Sequence, residues 1–346
     1  MKIFIDIGHP AHVHYFRNFI KIMESKGHTF FISSREKECT SELLQSYDLP
    51  FFSRGKGKNG IIGKLLYMLK ADYILYKKAL KFKPDYFLSF GSPYAAQVSW
   101  LLQKPHIACD DTEHVKFSRM LYKPFTKVVF TPFGYLKNLG TKQISFNSFM
   151  ELCSLHPNYY SPDSSIYNIL GITQNEPYIM LRFVSWNANH DIGEVGLNLE
   201  TKMTLVNMLK QKFKIFISSE GELPEGLKQY KIKIPVQRMH DALAFSTLFI
   251  GEGATMASEC AMLGIPAIYV NSLDAGTLQA QEKFGLIFGF RNSVGVIEKA
   301  KELIANENLR AEFKIKRDKM LSKMIDPTEM LVNYFENYQN ATKTIK

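Results

Sequence analysis

Cysteine is scarce in this chain of 346 residues: Cys39, Cys109, Cys153 and Cys260 are all it has. They lie far apart and none forms a C-x-x-C pair. Neither a disulfide framework nor a structural metal is indicated, and a reducing cytosol is the expected compartment. Long apolar runs are missing as well. No stretch approaches the ~20 uncharged apolar residues that span a bilayer, so integral membrane insertion is not expected. The N-terminus runs directly into KIFIDIG, without a basic leader, an apolar core or a small-residue cleavage site, which argues against export through a signal peptide. Internal repeats and low-complexity tracts are absent too.

Acidic residues are in short supply in one half only. The net charge is +10, and residues 1–160 carry 22 Lys and Arg against 12 Asp and Glu, while residues 161–346 carry 21 of each. Residues 54–83 hold nine basic side chains and one acid, Asp72, interleaved with Ile61, Ile62, Leu65, Leu66, Met68, Leu69, Ile74 and Leu75. That pattern predicts a basic amphipathic helix suited to anionic lipid headgroups, nucleic acid or an acidic acceptor. A solvated helix with its apolar side in the core would give the same pattern.

What is present is an ordinary globular composition, 46% apolar and 22% charged, in a chain long enough for two packed domains. Short β-branched and aromatic runs alternate with segments of helical period, the pattern of parallel sheets flanked by helices. Strands are expected at 2–7, 29–33, 86–90, 106–109 and 127–131. After a polar stretch with Pro157, Pro162, Gly171 and Pro177, a second set is expected at 178–184, 214–218, 247–250 and 267–270, followed by helical sequence from Ser293 onward. The domain reading is 1–160, 177–326, and a C-terminal helix over 327–346 that packs back on the N-terminal half.

The most informative segment is GEGATMASECAMLGIP at 251–266, directly after the apolar strand TLFI and before the strand PAIYV. Gly251 and Gly253 permit close backbone approach to a ligand, and a helix beginning near Thr255 presents unpaired N–H groups at its positive dipole end. A diphosphate fits there without a metal. Glu259 lies four residues beyond Thr255 on the same helix face, where its carboxylate can accept from ribose hydroxyls. Any strand–Gly–helix turn of an α/β protein would share part of this pattern.

This segment resembles the donor-binding signature of GT-B glycosyltransferases, G-x-(S/G)-A/T-x-x-x-E-x-x-x-x-G-x-P. The resemblance implies α/β GT-B architecture, two Rossmann-like domains whose parallel sheets face a central cleft, and a nucleotide-sugar donor. It puts Gly253, Ala254, Thr255 and Met256 by the diphosphate and Glu259 at the ribose, with Gln281, or Gln279, as the residue touching the sugar.

The first strand ends in Gly8-His9-Pro10-Ala11-His12-Val13-His14, three histidines in six residues at a strand-to-helix turn. Imidazole exchanges protons near neutral pH, which makes His12 a candidate general base and Gly8 a substrate-binding position. His12 aligns with a loop histidine of the peptidoglycan N-acetylglucosaminyl transferase that uses a lipid-linked acceptor, although His9 and Pro10 stand where that loop has glycines. A metal reading of His–Pro–x–His lacks matching carboxylates or thiolates, so no metal site is expected.

Two clusters complete the candidates. Asp110-Asp111-Thr112-Glu113-His114 follows the strand HIAC, at the carboxyl end where open α/β sheets bind ligands. Asp111, Glu113 and His114 are candidate catalytic groups because paired carboxylates shift each other's pKa; helix capping would explain the same residues. RFVSWNANHD at 182–191 offers Arg182 to neutralise a leaving diphosphate, with His190 and Asp191 nearby, and Glu220 ends the next strand.

Taken together, the DDTEH, RFVSWNANHD, SSEGELPEG and GEGATMASE segments resemble, over nearly the whole chain, a prokaryotic GT-B-like family of unknown function. That family is related to GT-B glycosyltransferases and to the non-hydrolysing UDP-N-acetylglucosamine 2-epimerase. The expected function is metal-independent transfer of a sugar from a nucleotide-diphosphate donor, taken as a UDP-sugar, to a surface-polysaccharide or lipid-linked acceptor. No cofactor is expected, since the nucleotide sugar is a substrate. An anionic membrane surface is the expected partner of residues 54–83, on the cytoplasmic face. The alternative is a nucleotide-sugar 2-epimerase, in which Asp111 and Glu113 promote elimination and re-addition. A nucleic-acid-binding protein is the weakest alternative, because the basic residues sit beside Leu and Ile rather than aromatics.

Overall fold

The computed structural model describes residues 1–58, 60–184, 196–272 and 275–344. The chain divides into two compact units: Met1–Ser154 joined by Ile325–Lys346, and Leu155–Met324.

The first unit is built on seven parallel strands, β1 Lys2–Ile7, β2 Thr29–Ser34, β3 Phe51–Ser53, β4 Tyr86–Phe90, β5 His106–Cys109, β6 Val128–Thr131 and β7 Gln143–Ser145. Their spatial order is β3-β2-β1-β4-β5-β6-β7. Strand β1 is buried along all but its first residue, as a central parallel strand covered on both faces must be. Phe4 stacks between Phe31 of β2 at 4.9 Å and Phe87 of β4 at 5.1 Å, which fixes the middle of the sheet. Chain order reverses between β1 and β4, so the loops leaving these two strands diverge and open a crevice at their carboxyl ends.

The helix Pro327–Thr344 belongs to this first unit. Phe335 packs on Phe19 of the helix Pro10–Ser25 at 5.2 Å, and Glu336 accepts from Lys26 and pairs with His28, each at 2.8 Å.

The second unit has five parallel strands, β8 Tyr178–Phe183, β9 Lys214–Ser219, β10 Leu248–Gly251, β11 Ala267–Val270 and β12 Ile287–Phe290, in the order β12-β11-β10-β8-β9. Its switch point lies between β8 and β10. Three of the twelve strands, β3, β7 and β12, lie outside the sequence expectation. β3 and β7 are three residues long, too short for a periodic signal, and β12 (IFGF) carries a glycine that weakens its propensity. All three are edge strands.

The basic segment is a helix only over Ile61–Phe82. Tyr67, Ala71, Leu75 and Ala79, at spacings of four, form its buried stripe. Ile62, Leu65, Leu66, Leu69 and Tyr73 are each more than half exposed, so this helix carries a second apolar stripe that the core does not use. Arg54 is a correction to the basic-surface reading: it is 5% exposed and faces inward. Among the described residues no helix is long and apolar enough to cross a membrane.

Candidate functional site

The three histidines of the first turn have three different surroundings. His9 caps the helix Pro10–Ser25, its Nδ1 accepting from the Ala11 N–H at 3.2 Å, and Pro10 takes the first helical position. His14 turns inward to the Tyr47 hydroxyl at 3.3 Å. His12 stacks on Phe90 at 4.6 Å, and its Nδ1 accepts the Gly8 N–H at 3.3 Å. Burial, and then the charges of His9, Lys37 and Arg54, push its pKa well below the usual histidine value. His12 is therefore neutral at pH 7, and with Nδ1 accepting, the ring proton sits on Nε2. A neutral imidazole in that tautomer is a donor at Nε2. This runs against the expected role of His12 as a general base.

The acidic cluster after β5 divides in the same way. Asp110 is spent on the fold: it accepts from Thr112 N at 2.9 Å, from Arg119 Nε at 3.2 Å and from the Tyr122 hydroxyl. Arg119 also ties down the carbonyl of Thr112 at 2.8 Å. Glu113 is buried and accepts from Leu136 N at 3.0 Å, while His114 is exposed. Capping does not explain the cluster, since Val115 is the N-cap of the helix Lys116–Tyr122 and no side chain caps it. Asp111 accepts from the Thr112 hydroxyl at 2.7 Å, and burial, against that bond and with Asp110 and Glu113 adding to it, raises its pKa to about 7. Since β4 alone separates β1 from β5, His12 and Asp111 both lie along the carboxyl-terminal edge of the sheet, where its strands end.

Beneath this edge lies a network that the sequence did not disclose. Asp6 is fully buried and accepts from Arg54 Nε at 2.9 Å, Arg54 Nη2 at 3.2 Å, Ser33 Oγ at 2.7 Å and Ser92 Oγ at 2.5 Å. Arg54 also meets the Tyr67 hydroxyl at 2.5 Å and lies over the Tyr94 ring at 4.5 Å. One carboxylate thus joins β1, β2, the loop after β3 and the helix Pro93–Leu101. A cavity of about 720 Å³ opens above it, with Gly8, Gly91 and Arg54 in its wall.

In the second unit, β10 delivers Gly251 and Glu252 to the helix Ala254–Leu263, whose N-cap is Gly253 with no side-chain cap. The first-turn amides of Ala254, Thr255 and Met256 therefore lack the partner that a capping side chain gives, and Ala254 is exposed. The glycines have an internal reason as well. A Cβ on Gly251 would lie 2.7 Å from Arg182 Cβ and 2.8 Å from the Arg182 carbonyl oxygen, and one on Gly253 would lie 3.3 Å from Arg182 Cγ. Arg182, near the end of β8, donates to Ser218 Oγ at 2.8 Å and to Glu220 at 2.7 Å. The structure thus brings Arg182, Glu220, Gly251 and Gly253 together across the switch point.

Glu259 is buried and one of its oxygens meets His240 Nε2 at 3.1 Å. Gln281 is fully buried and donates to Ser258 Oγ at 2.7 Å, so it has no surface to offer a sugar; Gln279 is the one that lines a cavity. Glu252, passed over in the sequence, accepts from Val184 N at 2.7 Å and Leu197 N at 2.9 Å and pairs with buried Lys202 at 3.0 Å. His190 and Asp191 lie outside the described residues.

Two parallel α/β units in series, each with a glycine-bearing turn at its switch point, are the architecture of the GT-B class. The solved structures of similar fold include the UDP-GlcNAc 2-epimerase of Neisseria meningitidis bound to UDP-GlcNAc, at TM-score 0.69 and 12% identity over 97% of this chain and 100% of that one. S. aureus MnaA in a co-structure with UDP superposes at 0.70, 13% identical over 98% and 97%. The MurG of Acinetobacter baumannii superposes at 0.57, 15% identical over 97% and 100%. The chain belongs to the family described as "Protein of unknown function (DUF354)", which it matches over residues 1–340. An uncharacterized protein of Methanocaldococcus jannaschii is 26% identical over 279 residues, 78% of this chain and 81% of that protein.

Proposed function

We propose that this protein is a metal-independent glycosyltransferase that moves a sugar from a nucleotide-diphosphate donor, taken as a UDP-sugar, to a lipid-linked or surface-polysaccharide acceptor. The donor diphosphate sits on the amides of Ala254, Thr255 and Met256, with the positive end of their helix and the Arg182 guanidinium taking up the charge of the leaving group. The Glu259 oxygen not engaged by His240 accepts from the ribose. In the first unit Asp111 removes the proton from the acceptor hydroxyl as that oxygen bonds to the anomeric carbon, and the bond from that carbon to the diphosphate breaks. A carboxyl of pKa about 7 is matched to this task at neutral pH. His12 donates from Nε2 to a substrate oxygen.

The observation that carries a transferase reading is the second apolar stripe of the 61–82 helix. Leu66 and Leu69 stand exposed beside exposed Lys64 and Lys70, a surface suited to peripheral attachment on an anionic leaflet at the cytoplasmic face. An enzyme acting on one soluble nucleotide sugar has no use for it. The epimerase reading has its own support in the higher TM-scores of the epimerase structures and in the paired carboxylates Asp111 and Glu113.

Incubation with UDP-sugars, with and without anionic vesicles carrying a polyprenyl-linked glycan, separates the two. Release of UDP only when the acceptor is present supports transfer; an epimerised sugar formed from the donor alone overturns it. Vesicle flotation tests the membrane part. Lys64→Glu with Lys70→Glu should abolish binding to anionic vesicles, and unchanged binding would sink the attachment.

A further inference from the structure

The cavity at the β1/β4 switch point has a composition that the donor chemistry does not use. Its wall carries four basic side chains, Arg35, Arg54, Lys58 and Lys64, and no acidic one. The charge of Arg54 is spent on Asp6. Arg35, Lys58 and Lys64 have no carboxylate within ion-pair distance among the described residues, and Arg35 Nε is buried there with no hydrogen-bond partner. Gly57 makes room for the Arg35 guanidinium, because a Cβ at 57 would collide with its Nη2.

The rest of the wall is apolar, and it does not stop at the cavity. Leu65 and Phe117 line it and are 52% and 71% exposed, so the mouth is continuous with the exposed stripe of the 61–82 helix and with exposed Met120 on the helix Lys116–Tyr122. A guanidinium whose buried Nε has no hydrogen-bond partner, and an exposed hydrocarbon surface continuous with its cavity, describe a site for an amphiphilic anion. At about 720 Å³ the cavity is within the ~300–1,000 Å³ range of ligand pockets.

We infer that this cavity binds a phosphate ester of a long hydrocarbon chain, the phosphate on Arg35 with Lys58 and Lys64, and the chain along Leu65, Met68 and Phe117 toward the membrane surface. The inference rests on the transferase reading for its purpose, since such an ester is the carrier of a lipid-linked acceptor, but its test does not require turnover.

The experiment is calorimetric titration of the full chain with farnesyl monophosphate, farnesol and inorganic phosphate, with UDP titrated in parallel. Farnesyl monophosphate should bind at least ~10-fold more tightly than either of the others. Arg35→Gln should weaken it ~10-fold or more, which is the scale of one charge-assisted contact. Gly57→Ala, which displaces the guanidinium without removing it, should weaken it in the same direction, and Phe117→Asp should remove the chain's contribution while leaving the melting temperature unchanged. Equal binding of inorganic phosphate, or farnesyl monophosphate binding that survives both Arg35→Gln and Phe117→Asp, overturns the assignment. No binding of farnesyl monophosphate by the parent protein while UDP binds fails this cavity alone; no binding of UDP by the parent protein fails the donor site and leaves the cavity standing.

Discussion

The Gly8 backbone N–H donates to Nδ1 of His12 at 3.3 Å, and this bond fixes what the imidazole can do. It assigns the ring proton to Nε2, and on the proposed mechanism the base is Asp111, whose pKa is raised to about 7. If the proposed transfer takes place, its rate should rise with pH through about 7, as Asp111 ionises. His12→Ala should lower kcat by ~10²–10³, the scale of losing one aimed donor, and leave that midpoint in place. Asp111→Asn should abolish the limb. A pH–rate profile in which His12→Ala removes the limb instead would reverse the two roles.

Gly251 is required by Arg182 as much as by any ligand. In Gly251→Ala the new Cβ meets backbone and Cβ atoms that cannot rotate away, so urea denaturation should show a loss of ~1–3 kcal/mol. Gly253→Ala meets only the flexible Arg182 side chain, at 3.3 Å, and should cost less stability. Equal losses would show that the turn relaxes more freely than its geometry implies.

Glu252 closes a buried ion pair with Lys202 and takes two backbone amides. Glu252→Ala takes the carboxylate away from the buried ammonium and from two backbone amides and should cost ~3–5 kcal/mol in chemical denaturation. Adding Lys202→Met should restore part of that stability, because the buried positive charge is then gone. A double variant no more stable than Glu252→Ala would put the cost on the amides instead.

His106 lies fully buried between Ser89 Oγ at 2.9 Å and Thr126 Oγ1 at 2.7 Å, and burial pushes its pKa down to about 3. Below the ordinary histidine value the unfolded chain binds a proton that the folded chain refuses. This group's contribution to stability is therefore present at neutral pH and falls by ~1.4 kcal/mol per pH unit from about 6.5 toward 3. His106→Asn should flatten the slope of unfolding free energy against pH by about one proton.

Asp72 has the opposite sign. Its Oδ1 is buried with no hydrogen-bond partner among the described residues, and burial, then the Asp6 charge, raises its pKa to about 7. The folded chain holds this proton longer than the unfolded one, so the stability it contributes is present below about pH 4 and lost as pH rises through about 7. Asp72→Asn should melt higher than the parent at pH 8, by ~1 kcal/mol after allowance for its partial exposure, and show no gain at pH 4. A gain that is the same at both pH values would rule out the ionisation.

Much of the architecture was legible before folding. Nine strands announce themselves as short apolar runs between turn residues, because a parallel strand buried on both faces must be apolar at nearly every position. The Gly251–Thr255 turn announces its glycines, and the helix that follows shows its period. The edge strands at 51–53 and 143–145 do not, since three residues carry no period. The three histidines show where sequence evidence runs out: spacing groups His9, His12 and His14, and only packing makes one a cap, one a partner of Tyr47 and one the donor above Phe90.

Composition and period by themselves determined the alternation of strands and helices, the two α/β units and the glycine-bearing strand-to-helix turns, because those follow from what each residue does to its near neighbours. Tertiary structure decided which charges are available for chemistry. Asp6 and Arg54 are 48 positions apart, Glu259 and His240 are 19, and Arg182 and Glu220 are 38; each pair is made by chain crossovers that no local pattern encodes. Burial then acts on what those contacts leave over: it holds His12 neutral, raises Asp111 to about 7 and leaves the Nε of Arg35 without a hydrogen-bond partner among the described residues. The cost of desolvating a charge depends on everything packed around it, and that is a property of the fold.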